Sequence, residues 1–362
     1  MNITFFIGNG FDLNLGLATS YMDFFNQYKE PSQEDSKEVL ELKSSINQYI
    51  DNNRGSKNPD IIDWSQAELA FGHFTPNFSD RDNGDQLFSN CHLDFCNELI
   101  THLAKEEERF NIDALKKDRD LMQAIWSGFL DVARGLRPRD QDIIRNLVNS
   151  QGGGFSLNII DFNYTTIIDK IADALKQAGV PGRRIFHNSY YNNGINPILH
   201  IHGTTTHGMT LGVNDESQLE DDIFSDNEPE RRWQIIKPIF NENMGEGIEE
   251  KACKALNTAQ IIYIYGMSMG DTDKRWWERI VNHLKDNKQA ILVIHQYGFP
   301  MITRYPMEFA REQRIFKDRF LAFGDAVEGD QTERIKERIF LTGANIFECL
   351  TDYVSKEDKN NA

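Results

Sequence analysis

Seven short apolar runs recur along the chain with helical patterns between most of them, and this alternation restricts the fold more than any other feature. The runs are ITFFI (3–7), SLNIIDF (156–162), RRIFH (183–187), ILHIH (198–202), AQIIYIYG (259–266), QAILVIH (289–295) and RIFLTG (338–343). Amphipathic stretches at 165–179, 249–259, 273–286 and 309–320 separate them. Short apolar strands alternating with helices specify an α/β fold: a parallel, Rossmann-like sheet with helices on both faces.

Residues 30–150 break the pattern. Stretches such as KEVLELKSSINQYI, DWSQAELAF and DALKKDRDLMQAIWSGFLDVARGL are helical in period, and no convincing strand lies among them. The expected organisation is an α/β nucleotide-binding domain from residues 1–29 and 151–362, interrupted by a mostly helical insertion, 30–150. Gly152, Gly153 and Gly154 mark the return to the sheet. The polar segments 52–60 and 78–86 read as mobile loops, the acidic stretch 213–230 as a solvated loop or lid, and KEDKNNA at the C-terminus as a frayed tail.

A formal net charge of −17 argues against general affinity for nucleic acid, which needs clustered Lys and Arg. No run of eighteen apolar residues suggests a membrane span, and the first residues do not read as a secretory leader. Cys91, Cys96, Cys253 and Cys349 show no framework spacing, which fits a reducing cytoplasm. Cys91 and Cys96, with His92 beside them, read better as one helix than as a zinc site. No metal is expected.

Ligands of open parallel sheets bind beyond the C-terminal ends of the strands. After the first run stand Gly8, Asn9, Gly10, Phe11 and Asp12; after the second, Asn163, Tyr164 and Thr165. His202 and Gly203 follow ILHI, and Gly266, Ser268, Gly270, Asp271 and Asp273 follow IIYIY. Each group has a structural reading as well. The glycines can serve a tight turn, and their spacing is not the dinucleotide fingerprint, since the next glycine is Gly16. Asn163 and Thr165 suit helix caps, Asp271 and Asp273 suit a helix start, and His202 could be a hydrogen-bonded structural residue. GMSMG (266–270) matches the nucleophile elbow G-x-S-x-G after a strand. Only His283 and His295 follow Ser268, with no acid-bearing strand before them, so a binding role for this loop ranks above hydrolase chemistry.

The segments FIGNGFDLNLGLATSYMDF, DWSQAE, IIDFNYT, HIHG, VNDE and YGMSMGDTDKRWW resemble, in order, the motifs of the bacterial AbiH family, associated with abortive infection by phage. They span residues 6–277. The pattern is more distantly similar to the sirtuin-like NAD-binding fold. That resemblance implies a catalytic role for His202 and Asn163. It implies dinucleotide contacts from Gly8, Gly10, Gly266 and Ser268; Asn9, Phe11, Ser20, Tyr164, Gly203, Asp271 and Asp273 are further candidate contacts. The chain has no C-x-x-C pair, so the zinc module of deacetylating sirtuins is missing and deacetylation is not implied. Asp12 replaces a small or apolar residue of the sirtuin loop.

The activity implied is cleavage of the nicotinamide–ribose bond of NAD through an oxocarbenium-like state. The glycine-turn amides would bind the pyrophosphate. Asp12 would meet a ribose hydroxyl or the developing cation. Asn163 would hold the water or the ribose, and His202 would act as general base. Asp271 and Asp273 would bind ribose hydroxyls. Two alternatives stand beside this: a nucleotide sensor that switches the insertion without chemistry, and a hydrolase using Ser268. The expected partners are a small nucleotide and a phage-derived trigger, with no membrane; a homo-oligomer is compatible with the sequence. Trp64 and Glu68 either line the pocket or pack the insertion, and packing is the expectation.

Overall fold

The computed structural model describes residues 1–53, 64–224, 228–299, 306–324 and 330–351. Its strands are β1 (Asn2–Ile7), β2 (Ser156–Asp161), β3 (Arg183–Phe186), β4 (Ser189–Asn192), β5 (Gly194–Ile195), β6 (Leu199–His200), β7 (Ile261–Tyr265), β8 (Ile291–His295) and β9 (Ile339–Thr342). The main sheet runs β5–β2–β1–β7–β8–β9, every pairing parallel, with β6 on the same side of β2 as β5. Taking β5 and β6 as one interrupted strand, the order is 3-2-1-4-5-6, that of a doubly wound nucleotide-binding sheet. The order reverses between β1 and β7, where Ile7 is level with Tyr265, and Ile7 is also level with Asp161 of β2.

The interruption has a local cause. Ser156 and Leu157 pair with Gly194 and Ile195, while Ile160 and Asp161 pair with Leu199 and His200. Asn196 still donates its N–H to Leu157 O (2.9 Å). Pro197 comes next and has no N–H to give.

Alternate residues of the central strands enter opposite cores. Ile3, Phe5 and Ile7 of β1, with Ile261, Tyr263 and Tyr265 of β7, face a core shared with helices Arg119–Leu130 and Ile167–Gln177. Phe6, Ile262 and Ile264 face helices Ile248–Asn257 and Lys274–Asp286. A strand buried on both faces must be apolar throughout, which is why these runs show no polar alternation.

The run RRIFH departs from expectation: it forms β3, which pairs antiparallel with β4 in a separate two-stranded ribbon. His187 and Asn188 take φ of 46° and 62° between them, the paired positive φ that a tight I′ hairpin turn requires.

Between β1 and β2 the described residues hold helices and no strand. Helices Tyr21–Tyr28, Lys37–Asn53, Trp64–Phe74 and Gly84–Glu108 surround an aromatic core that includes Phe24, Phe71, Phe88 and Phe95, and this core also takes Leu211, Val213, Ile235 and Ile236. Segment 78–86, expected as a mobile loop, is instead the junction between helices Pro76–Ser79 and Gly84–Glu108, with Phe78 buried. The acidic stretch packs against the insertion rather than standing free: Glu220 N donates to Gly72 O (3.1 Å), and Phe224 is buried. Residues 54–60 of the first polar loop, 225–227 of the acidic stretch and the KEDKNNA tail lie outside the described residues. Among the described residues no helix is long and apolar enough to cross a membrane.

Candidate functional site

The turn after β1 packs directly on the turn after β7. Gly8 N donates to Tyr265 O (2.9 Å), Gly10 N to Gly266 O (2.8 Å) and Phe11 N to Gly8 O (2.9 Å). A Cβ on Gly10 would lie 2.5 Å from Gly266 Cα, so the glycines permit a backbone-to-backbone approach. This corrects the expected pyrophosphate cradle: the amides of Gly8, Gly10 and Phe11 are already committed. The helix that follows, Gly10–Asn14, has only five residues. Phe11 packs edge-on against Tyr265 and Phe347 in the core. Asn9 holds Thr19 through Nδ2 to the carbonyl (2.9 Å) and accepts from its hydroxyl (2.7 Å). Ser20 caps the next helix in a capping box with Asp23. Asn9, Phe11 and Ser20, expected as dinucleotide contacts, all have internal partners.

Asp12 ties this first turn to the end of β2. Its carboxylate accepts from Thr165 Oγ1 (2.7 Å), and Asn163 Nδ2 stands 3.5 Å from the other oxygen. Burial pushes its pKa up to about 7, against the pull of the Thr165 hydroxyl. Asp161 is also fully buried and accepts from Asn163 N (3.1 Å); burial raises it to about 8, despite His200 nearby. His200 lies between Asp161 (3.4 Å) and Asp169 (2.8 Å). Burial lowers its pKa, but the Asp169 hydrogen bond and the two carboxylate charges outweigh that and raise it. Asn163 therefore sits between two carboxyl groups poised near neutrality.

His202 belongs to a second buried network. Its Nε2 is 3.0 Å from Asp273 Oδ1, and Lys237 Nζ is 3.0 Å from the same oxygen. Lys237 Nζ also donates to Glu68 Oε2 at 2.9 Å, and Tyr164 OH donates to Thr210 O (3.2 Å) with Glu68 Oε1 3.5 Å away. Burial would raise the pKa of Asp273, but the Lys237 charge and the His202 contacts outweigh it and hold the carboxyl well below the usual range. Lys237 is fully buried too; desolvation lowers its pKa, and the Asp273 and Glu68 charges reverse that and raise it. An ionised carboxylate only accepts, so Nε2 of His202 carries a proton and donates it to Asp273.

The second network stands beside the end of β2 that carries Asn163. The His202 ring lies 5.2 Å from the ring of Phe162 and 6.0 Å from that of Tyr164, the residues on either side of it. Four strand ends thus converge: Asp12 after β1, Asn163 after β2, His202 after β6 and Asp273 after β7. Gly203 has φ +68°, and a Cβ there would meet Gly208 O at 2.0 Å, so it shapes the turn behind His202. Asp271 is exposed, and its carbonyl lies 3.5 Å from Gln218 Nε2. Ser268 is exposed and bonds no histidine or carboxylate among the described residues, and His283 binds Ala259 O instead.

The sequence reading missed Lys237 and left Glu68 open. Both carried a signal: a lysine inside IIKPIF and a glutamate inside the apolar helix face of AELAF are charges that a core accepts only in pairs. Glu68 was expected to serve packing alone; it also reaches the His202 network, while the side chain of Trp64 lies outside the described residues. A cleft bounded by His202, Asp273, Lys237, Asn214, Asn241 and Trp276 encloses a cavity of about 20 Å³, room for about one water. A larger opening of about 430 Å³ lies between helices Ile248–Asn257 and Lys274–Asp286, but it is lined by residues such as Cys253, Arg279 and His283 and touches none of the converging strand ends.

The family model described as bacteriophage abortive infection AbiH matches residues 4–295. The matched span begins in β1, ends with β8 and contains both buried networks. No curated protein matches the chain.

Proposed function

The chain belongs to the AbiH family of bacteriophage abortive infection, and from that premise we propose that it acts in abortive infection by hydrolysing the nicotinamide–ribose bond of NAD at the converging strand ends. The observation that carries this reading is the His202–Asp273 pair, a base with its second nitrogen held by an ionised carboxylate. That is the arrangement of a general base fixed in one tautomer.

In the proposed reaction the bond between the anomeric carbon and the nicotinamide nitrogen breaks, and nicotinamide leaves with the electron pair. A water oxygen bonds to the anomeric carbon and its proton passes to His202 Nδ1. The ionised carboxylate of Asp273, which lines the cleft beside His202, is the negative group proposed to favour an oxocarbenium-like state. Asp12 is proposed to position Asn163; both are buried and neither lines the cleft in this form, so Asn163 reaches substrate only once the cleft opens. The cleft is partly open to solvent, but its volume is far below the ~300 Å³ or more of a small-molecule pocket, so substrate entry needs its lining residues, such as those of helix Lys237–Met244, to move apart. A resting form too narrow for substrate suits a protein whose activity would harm its own host.

Purified protein, with and without lysate from phage-infected cells, should consume NAD and release nicotinamide and ADP-ribose. His202→Ala and Asn163→Ala should abolish both that turnover and phage protection while leaving the fold intact. Absence of turnover under both conditions, together with undiminished protection by the two variants, would falsify the enzymatic reading. Calorimetric binding of NAD with no product would instead favour the sensor, for which the Glu68–Lys237 contact between insertion and cleft offers a physical route.

A further inference from the structure

We infer that the small cavity beside His202 is a site for one ordered water held by Thr272, and, resting on the reading above, that this is the water the reaction consumes. Thr272 lies between the two aspartates that the sequence singled out, and it is 1% exposed. It lines the cavity, and its Oγ1 has no hydrogen-bond partner among the described residues. A buried hydroxyl without a partner is uncommon in folded proteins, and ordered water is a usual means of satisfying one.

The surrounding groups fit that occupant. A water needs two to four polar partners and one probe sphere of space, and the cavity of about 20 Å³ has room for one. Lys237 carries three N–H donors, of which Glu68 and Asp273 take two. His202 Nε2 is taken by Asp273, which leaves Nδ1 as the acceptor. A water in the cavity can accept from Lys237, exchange a hydrogen bond with Thr272 Oγ1 and donate to His202 Nδ1. The same contacts orient its lone pair outward and route its proton to the base. Asn214 and Asn241 also line the cleft. Thr272 is thus a positioning residue, acting through the water.

Crystals of the full chain at near-atomic resolution, as wild type, Thr272→Val and Thr272→Ser, test the site without reference to turnover. Density for one water within hydrogen-bond reach of Thr272 Oγ1, lost in the valine variant and kept in the serine variant, supports the inference. A dry cavity in the wild type, or a water unmoved by valine, overturns it. Where NAD is cleaved, Thr272→Val should lower kcat about a hundredfold with KM unchanged. It should also raise the share of product captured by added methanol, and serine should restore both. An unchanged kcat and an unchanged methanol share would remove the water's role in the reaction. If the wild type cleaves no NAD, the crystallographic result still decides the water site.

Discussion

Lys237 and Glu68 form an ion pair, 2.9 Å from Nζ to Oε2, with side chains only 4% and 3% exposed. One partner comes from the helical insertion and the other from the segment that closes the cleft. Removing one member of such a pair strands the other charge in the interior, at a cost of about 3–5 kcal/mol. Lys237→Met should lose stability of that order in urea unfolding, and Glu68→Gln should lose less, because Lys237 keeps Asp273 as a partner at 3.0 Å. The double variant should lose less than the sum of the two, because it strands no Glu68 charge and leaves Asp273 its contact with His202. Additive losses would mean that the pair is not coupled.

Asp273 is expected to matter to turnover beyond its part in the fold. Asp273→Asn removes the ionised acceptor that fixes the His202 tautomer. Nicotinamide release should fall by about two to four orders of magnitude, with far-ultraviolet circular dichroism unchanged. Retained activity would assign Asp273 to structure alone.

Stability should decline as the pH rises from about 5 to 8. Asp12 and Asp161 have folded-state pKa values raised by burial to about 7 and about 8 from the ordinary aspartate value of 3.8. In that interval the unfolded chain has released protons that the fold still holds, so each contribution is full below the unfolded value and lost as the pH climbs through the folded one. His200, raised above 6.5 by Asp169 and Asp161 against its own desolvation, acts in the same direction above its unfolded value. The limiting slope is about 1.4 kcal/mol per pH unit for each group. Charges facing the cluster include Glu107, which raises Asp12, and Asp169, which raises Asp161. Asp273 and Asp215, both lowered, lose their contributions only on acidification. Urea unfolding across this range should show the decline, and Asp12→Asn should flatten it below about pH 7. A flat wild-type profile would contradict the buried-carboxyl picture.

The contact between the first turn and the β7 turn leaves no space for a side chain. Gly266 has φ +68°, and a Cβ there would stand 2.7 Å from Phe11 N. Gly266→Ala should cost roughly 2 kcal/mol or more through strain and collision together. Gly10→Ala should do the same by collision alone. A melting temperature unchanged by either substitution would mean that the turns can separate freely.

The parallel sheet was legible because strands buried on both faces must be apolar from end to end, as IIYIY and ILVIH are. The strand ends could be listed for the same reason, since Asn163 and His202 stand at the ends of such runs and Asp273 lies in the turn after IIYIY. The ribbon of β3 and β4 was hidden because its turn is His187-Asn188 rather than a glycine-bearing pair, and SYYN carries no period against a core. Lys237 and Glu68 are 169 positions apart, and nothing local says which buried charge will find which. The glycines of the first turn stayed open between two readings for a related reason. A glycine that admits a phosphate and one that admits another backbone look alike in sequence.

Pro197 bears on solubility. With β5 and β6 only two residues each and a residue without an N–H between them, this flank of the sheet offers no continuous row of donors and acceptors to a strand from a second molecule. Filling the gap, as Pro197→Val would begin to do, creates a longer template for intermolecular pairing, so the imino acid works as a built-in guard against aggregation when the protein accumulates.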